Sequence, residues 1–131
     1  MSKQLPPPAP GQKWHLPDFD RNGNLFETFI GDYESKPGTP YLPELSAHYY
    51  RLEVDEIDKQ NPHHEDELYY VLQGSREIEI KIDNKTTIVP LKQGDLVFVP
   101  KYAIHKFTGN GQISLLVFFG PNYTGPGKNI E

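Results

Sequence analysis

The sequence predicts an all-β domain, a sandwich or a barrel, and three observations carry the prediction. Residues 75–82 read Ser-Arg-Glu-Ile-Glu-Ile-Lys-Ile. This strict alternation puts Ile78, Ile80 and Ile82 on one face and Glu77, Glu79 and Lys81 on the other. Thirteen prolines and eleven glycines interrupt the 131-residue chain, which leaves no room for long helices. About eight short strand-like runs follow one another with turns every 8 to 12 residues, the spacing of a sandwich or barrel.

Taken in order, Pro6, Pro7, Pro8 and Pro10 make the first eleven residues extended or disordered. Trp14, Leu16 and Phe19 are apolar residues that can pack on the domain edge. Residues 25–30 form a first strand. A loop with Pro37, Gly38, Pro40 and Pro43 follows, then a long β segment over 45–54. Residues 67–73 and 75–82 read as two strands on either side of Gly74. Asp83-Asn84 suits a two-residue hairpin turn, because both residue types tolerate positive φ, and residues 86–91 return. Gln93-Gly94-Asp95 turns the chain into a short strand over 96–99 that Pro100 ends. Residues 105–108 and 112–119 pair across Gly109-Asn110-Gly111. Heptads, βαβ alternation and a fixed-period repeat are all missing.

Composition narrows the function. A net charge of -5 without a Lys/Arg cluster argues against nucleic-acid and anionic-membrane partners. The absence of cysteine removes disulfides, thiolate chemistry and Cys-ligated zinc. The N-terminus has no apolar h-region, and the longest apolar run, 113–119, is too short to span a bilayer. A cytoplasmic location is expected.

Two imidazoles and a carboxylate stand out as a candidate metal set. Within Asn61-Pro62-His63-His64-Glu65-Asp66-Glu67, strand parity places Asn61, His63 and Glu67 on one face, continued by Tyr69 and Val71. The reading requires that no bulge fall between 63 and 67. His105 and Phe107 share a face in their own strand, and barrel closure can bring it opposite Glu67. His63, Glu67 and His105 together would hold a divalent metal with positions left open for substrate. Tyr69, Phe107 and Tyr50 are candidate walls. Tyr69, Phe98, Phe107 and Phe118 read as core. His64, Glu65 and Asp66 read as a solvated face, and His15 and His48 as structural or surface residues.

The pattern resembles the cupin superfamily, in its small single-domain form. Glu67, six residues and Gly74 fit the end of the first cupin motif, with His63 at the second histidine position. Gly94, Pro100 and His105 fit the second motif. Asn61 stands where the family places its first histidine. The resemblance implies a cupin-type β-barrel (double-stranded β-helix, or jelly roll) over 45–119. A flexible tail over 1–11, an extension over 12–44 with one edge strand, and a C-terminal tail over 120–131 complete the single domain. It further implies a bound divalent metal, with Fe(II) favoured and Mn, Ni or Zn as alternatives, and Asn61 as a weak fourth ligand. The activity implied is that of a metal-dependent oxygenase on a small organic substrate. An isomerase, a decarboxylase or a non-catalytic ligand-binding domain is the alternative. A homodimer that covers the exposed edge at 25–30 is also expected.

Overall fold

A computed structural model describes residues 8–15, 26–31, 45–58 and 65–120. Its strands are β1 (Phe26–Ile30), β2 (Ser46–Leu52), β3 (Asp66–Ile82), β4 (Lys85–Lys92), β5 (Leu96–Val99), β6 (Ile104–Thr108) and β7 (Ile113–Gly120). All pairings are antiparallel. No helix of the described residues is long and apolar enough to cross a membrane.

The long strand β3 organises the barrel. Its first half pairs with β7 on one side and β5 on the other, continuing a sheet that runs β1-β2-β7-β3-β5. Its second half pairs with β4 and β6 to make the opposing sheet. The two strands expected over 67–73 and 75–82 are therefore one, and Gly74 is a kink rather than an end. Gly74 adopts a φ of +86°, and a Cβ there would lie 1.9 Å from the Gln112 carbonyl oxygen. Only glycine allows the chain to bend this close to the start of β7.

That kink also changes the inward parity. The register against β7 shifts between Val71 and Gln73. Before the shift Glu67, Tyr69 and Val71 are buried, and after it Arg76, Ile78 and Ile80 are. A bulge adds one residue and turns every later side chain over. Ile82, expected on one face with Ile78 and Ile80, is 48% exposed because it adjoins the hairpin turn where β3 ends. Asp83 makes that turn with a φ of +54°, as its residue type predicts.

Apolar side chains from both sheets fill the interior, with Val71, Val99, Leu115 and Val117 from one and Ile78, Ile80, Leu91 and Phe107 from the other. Each fully buried side chain of this size is worth roughly 1.5–3 kcal/mol. The buried Arg76 guanidinium straps one end of the barrel, donating to the carbonyls of Gly111, Gly109 (3.2 Å) and Glu53 (2.8 Å). It thereby pins the Gly109–Gly111 turn, whose Asn110 carbonyl also accepts from the Asp55 amide at 2.8 Å. Trp14 packs on Phe29 of β1 with ring centroids 5.9 Å apart, as its apolar character suggested. Leu16 and Phe19 lie outside the described residues.

Candidate metal centre

Glu67 and His105 come from opposite sheets and meet inside the barrel. Glu67 faces inward near the start of β3, where its neighbours in register are Val99 and Phe119. His105 stands opposite Ile80 in the other sheet. Both side chains are 1% exposed, and His105 Nε2 lies 3.2 Å from Glu67 Oε1. Tyr69, two residues along the same face, donates its hydroxyl to Glu67 Oε2 at 2.6 Å and lies 3.0 Å from His105 Nε2. His105 Nδ1 is 3.3 Å from the Ala103 carbonyl oxygen. A carbonyl can only accept, so Nδ1 carries the proton and the Nε2 lone pair points at Glu67.

Burial governs the charge of all three groups. Desolvation pushes the Glu67 carboxyl up to about 8; the Tyr69 hydrogen bond opposes this, and the nearby charges of Glu65 and Asp58 add to it. Burial lowers His105, against the Ala103 hydrogen bond and the charge of Asp58. Burial, then the charge and hydrogen bond of Glu67, hold the Tyr69 hydroxyl protonated well above its usual range. Without a cation, the consistent arrangement at neutral pH is one proton on Glu67 shared with the His105 Nε2 lone pair. A divalent metal, when bound, would take the Glu67 carboxylate and the His105 imidazole as two of its ligands. The Ala103 contact fixes the His105 tautomer, with its Nε2 lone pair turned toward Glu67. Glu67 and His105 are two donors of a kind a divalent metal accepts. Among the described residues no group of three or more His, Cys, Asp or Glu side chains is placed to hold one. His63 and Asn61, the other expected ligands, and His64 lie outside the described residues.

The aromatic residues expected around this centre face inward. Phe107 packs edge-on against Tyr69 with centroids 5.0 Å apart, and Tyr50 lies 6.5 Å from Phe107. Sequence reasoning missed Asp58. Its buried carboxylate accepts from the Tyr50 hydroxyl at 2.9 Å and from the Phe107 amide at 2.7 Å. It therefore ties the approach to the His63 segment onto the strand carrying His105. Asp58 sits among charged residues with no periodic signal, so nothing local marked it. Glu65, expected in solvent, is buried; it has the same parity as Glu67 and shares its inward side. Phe98, expected in the core, is 55% exposed, because β5 presents Val97 and Val99 inward and its even-numbered residues outward. His48 is structural as expected: buried, with Thr28 Oγ1 at 2.9 Å and Ser46 Oγ at 3.0 Å.

With this geometry established, relatives become informative. The Cupin_2 family, described as a cupin domain, matches residues 48–119. The chain belongs to the cupin family. This cupin is 35% identical over 78 residues to an uncharacterized protein of Streptomyces coelicolor, covering 59% of this chain and 70% of the relative. It is 24% identical over 82 residues to an acireductone dioxygenase of Phaeosphaeria nodorum, covering 62% of this chain and 47% of that one. The crystal structure of the DMSP lyase DddQ from Ruegeria pomeroyi superposes with a TM-score of 0.61 at 21% identity, covering 77% of this chain and 48% of the lyase. The cupin thus spans about half the length of the dioxygenase and of the lyase, and the lyase likeness shows the fold alone.

Proposed function

We propose that this cupin binds one divalent metal ion through His63, Glu67 and His105, with Asn61 as a weak further ligand, and acts on a small organic molecule as a non-haem oxygenase. One observation carries the reading: a buried carboxylate and a buried imidazole from opposite sheets meet at 3.2 Å, with the imidazole tautomer fixed from behind. Such a pair is costly to bury unless something charged or protic lies between its members. Bound there, Fe(II) would supply open positions for a chelating substrate and O₂. The chain's own part is positional. Ala103 orients His105, and the Tyr69 hydroxyl holds Glu67 and keeps a proton beside it. Phe107 and Tyr50 present aromatic surface that excludes water. The likeness to acireductone dioxygenases supports oxygen chemistry among the metal-dependent options.

Anaerobic reconstitution with Fe(II), followed by oxygen-electrode screening of catechols, diketones and flavonols, tests the proposal. O₂ uptake with at least one class, lost in His105→Ala, is the expected result. Full iron loading with no uptake from any class would reject the oxygenase. A second reading, a metal-assisted isomerase or decarboxylase, is favoured by Tyr69, whose protonated hydroxyl touches both ligands and is placed to deliver a proton. It predicts turnover under nitrogen with Mn, Ni or Zn.

A further inference from the structure

We infer, building on the metal reading proposed above, that Asp58 helps to hold a divalent cation between Glu67 and His105 without ligating it, through the negative charge it keeps behind them. Asp58 is buried, and both its oxygens accept: Oδ1 from the Tyr50 hydroxyl at 2.9 Å, and Oδ2 from the Phe107 amide at 2.7 Å. Among the described strands β6 pairs only with β3, so Asp58 caps the free edge of the strand that carries His105. Phe107 in turn packs edge-on against Tyr69, whose hydroxyl touches both Glu67 and His105. Neither of these two Asp58 contacts needs a charge, because an amide of the same shape could accept from Phe107 and donate to Tyr50. Burying a charge beyond what its hydrogen bonds require is costly unless a cation balances it.

The charge balance of the interior points the same way. Among the described residues Asp58, Glu65 and Glu67 are the buried carboxyl groups, and Arg76 is the one buried guanidinium or ammonium. Arg76 donates to the carbonyls of Gly111, Gly109 and Glu53. With the three acids ionised, that guanidinium and one dication together make the described interior neutral. The charge of Asp58 also reaches the whole cluster. Burial governs the proton affinities of Glu67, Tyr69 and His105, and beneath it Asp58 raises all three. A field that favours a proton on each of these groups favours a dication bound among them. Inside the barrel screening is weak, so losing this one charge should weaken a dication's binding by at least about tenfold. An exposed carboxylate, screened by solvent, has no such leverage.

Competition titrations of the full chain with Co(II) and Zn(II) against a chromophoric chelator test this role, with folding checked by urea unfolding of the metal-free protein. Asp58→Asn, which keeps both hydrogen bonds and loses the charge, should bind both metals at least about tenfold more weakly. Asp58→Ser, also uncharged and still able to accept from Phe107, should repeat the loss. Glu77→Gln removes the same charge at an exposed site of β3 and should match the wild type within about twofold. A redox titration of the iron-loaded protein separates charge from shape. Fe(III) carries one charge more than Fe(II), so Asp58→Asn should raise the potential by about 30 mV or more, the equivalent of about threefold at 59 mV per tenfold. A folded Asp58→Asn with wild-type affinities, or with weaker binding at an unchanged potential, would overturn the role of Asp58 and leave the metal site standing. A wild type that binds neither metal would overturn both.

Discussion

Replacing Glu67 with glutamine should abolish a pH dependence of stability that the metal-free protein carries. The folded-state pKa of Glu67 is raised from 4.5 to about 8 by burial. A raised carboxyl binds its proton more tightly in the folded state than in the unfolded chain. Its contribution is therefore complete below pH 4.5 and is lost as pH climbs toward 8. His105 has the opposite sign: its pKa is lowered from 6.5 by burial, so its contribution is lost as pH falls and is whole above 6.5. Between pH 6.5 and 8 the Glu67 effect is thus separated from that of its partner. Over these roughly one and a half pH units the loss is about 2 kcal/mol. Urea unfolding of chelator-treated protein at the two pH values measures it, with the slope m unchanged. Glu67→Gln keeps the shape of the side chain and cannot ionise, so its stability should change by less than about 0.5 kcal/mol over the same interval. Equal pH dependence in both proteins, or wild-type stability that rises across the interval, would refute the shared-proton arrangement.

Other consequences follow from the same contacts. Gly74→Ala should destabilise the fold by about 3 kcal/mol or more, because strain at positive φ adds to a collision with the Gln112 carbonyl; thermal unfolding reads it. Asp58→Ala should cost about 2–4 kcal/mol by stranding the Phe107 amide and the Tyr50 hydroxyl. Asp58→Asn, which can accept from Phe107 and donate to Tyr50, should recover most of that in chemical denaturation. Tyr69→Phe should cost about 1–3 kcal/mol in the metal-free protein through the unmet Glu67 oxygen.

Much of this molecule could be read from its residues because much of it obeys local rules. The alternation Ile78, Ile80 and the parity of Glu67, Tyr69 and Val71 are facts about neighbours, and a strand turns neighbours into faces. Asp83-Asn84 and Gly109-Asn110-Gly111 mark turns for equally local reasons. Readings failed where position depends on partners far along the chain. Gly74 punctuates the sequence like a strand end, yet it bends one continuous strand from one sheet into the other, because both halves find pairing partners. Phe98 looks like core, but which face of β5 is inward is decided by its pairing with β3. Asp58 is invisible without the Phe107 amide it binds, and that contact spans 49 residues. The meeting of Glu67 with His105 was foreseen only as something barrel closure would allow.

The proposed function needs a metal held between the two sheets, and metal stoichiometry tests that most directly. Purified full-length protein, offered Fe(II), Mn(II), Ni(II) and Zn(II) in turn and analysed by elemental analysis, should retain about one ion per chain. His105→Ala and Glu67→Ala should retain none, and His15→Ala, at an exposed site, should match the wild type. Equal metal in His105→Ala and wild type, or a wild type that retains none of the four ions, would contradict it.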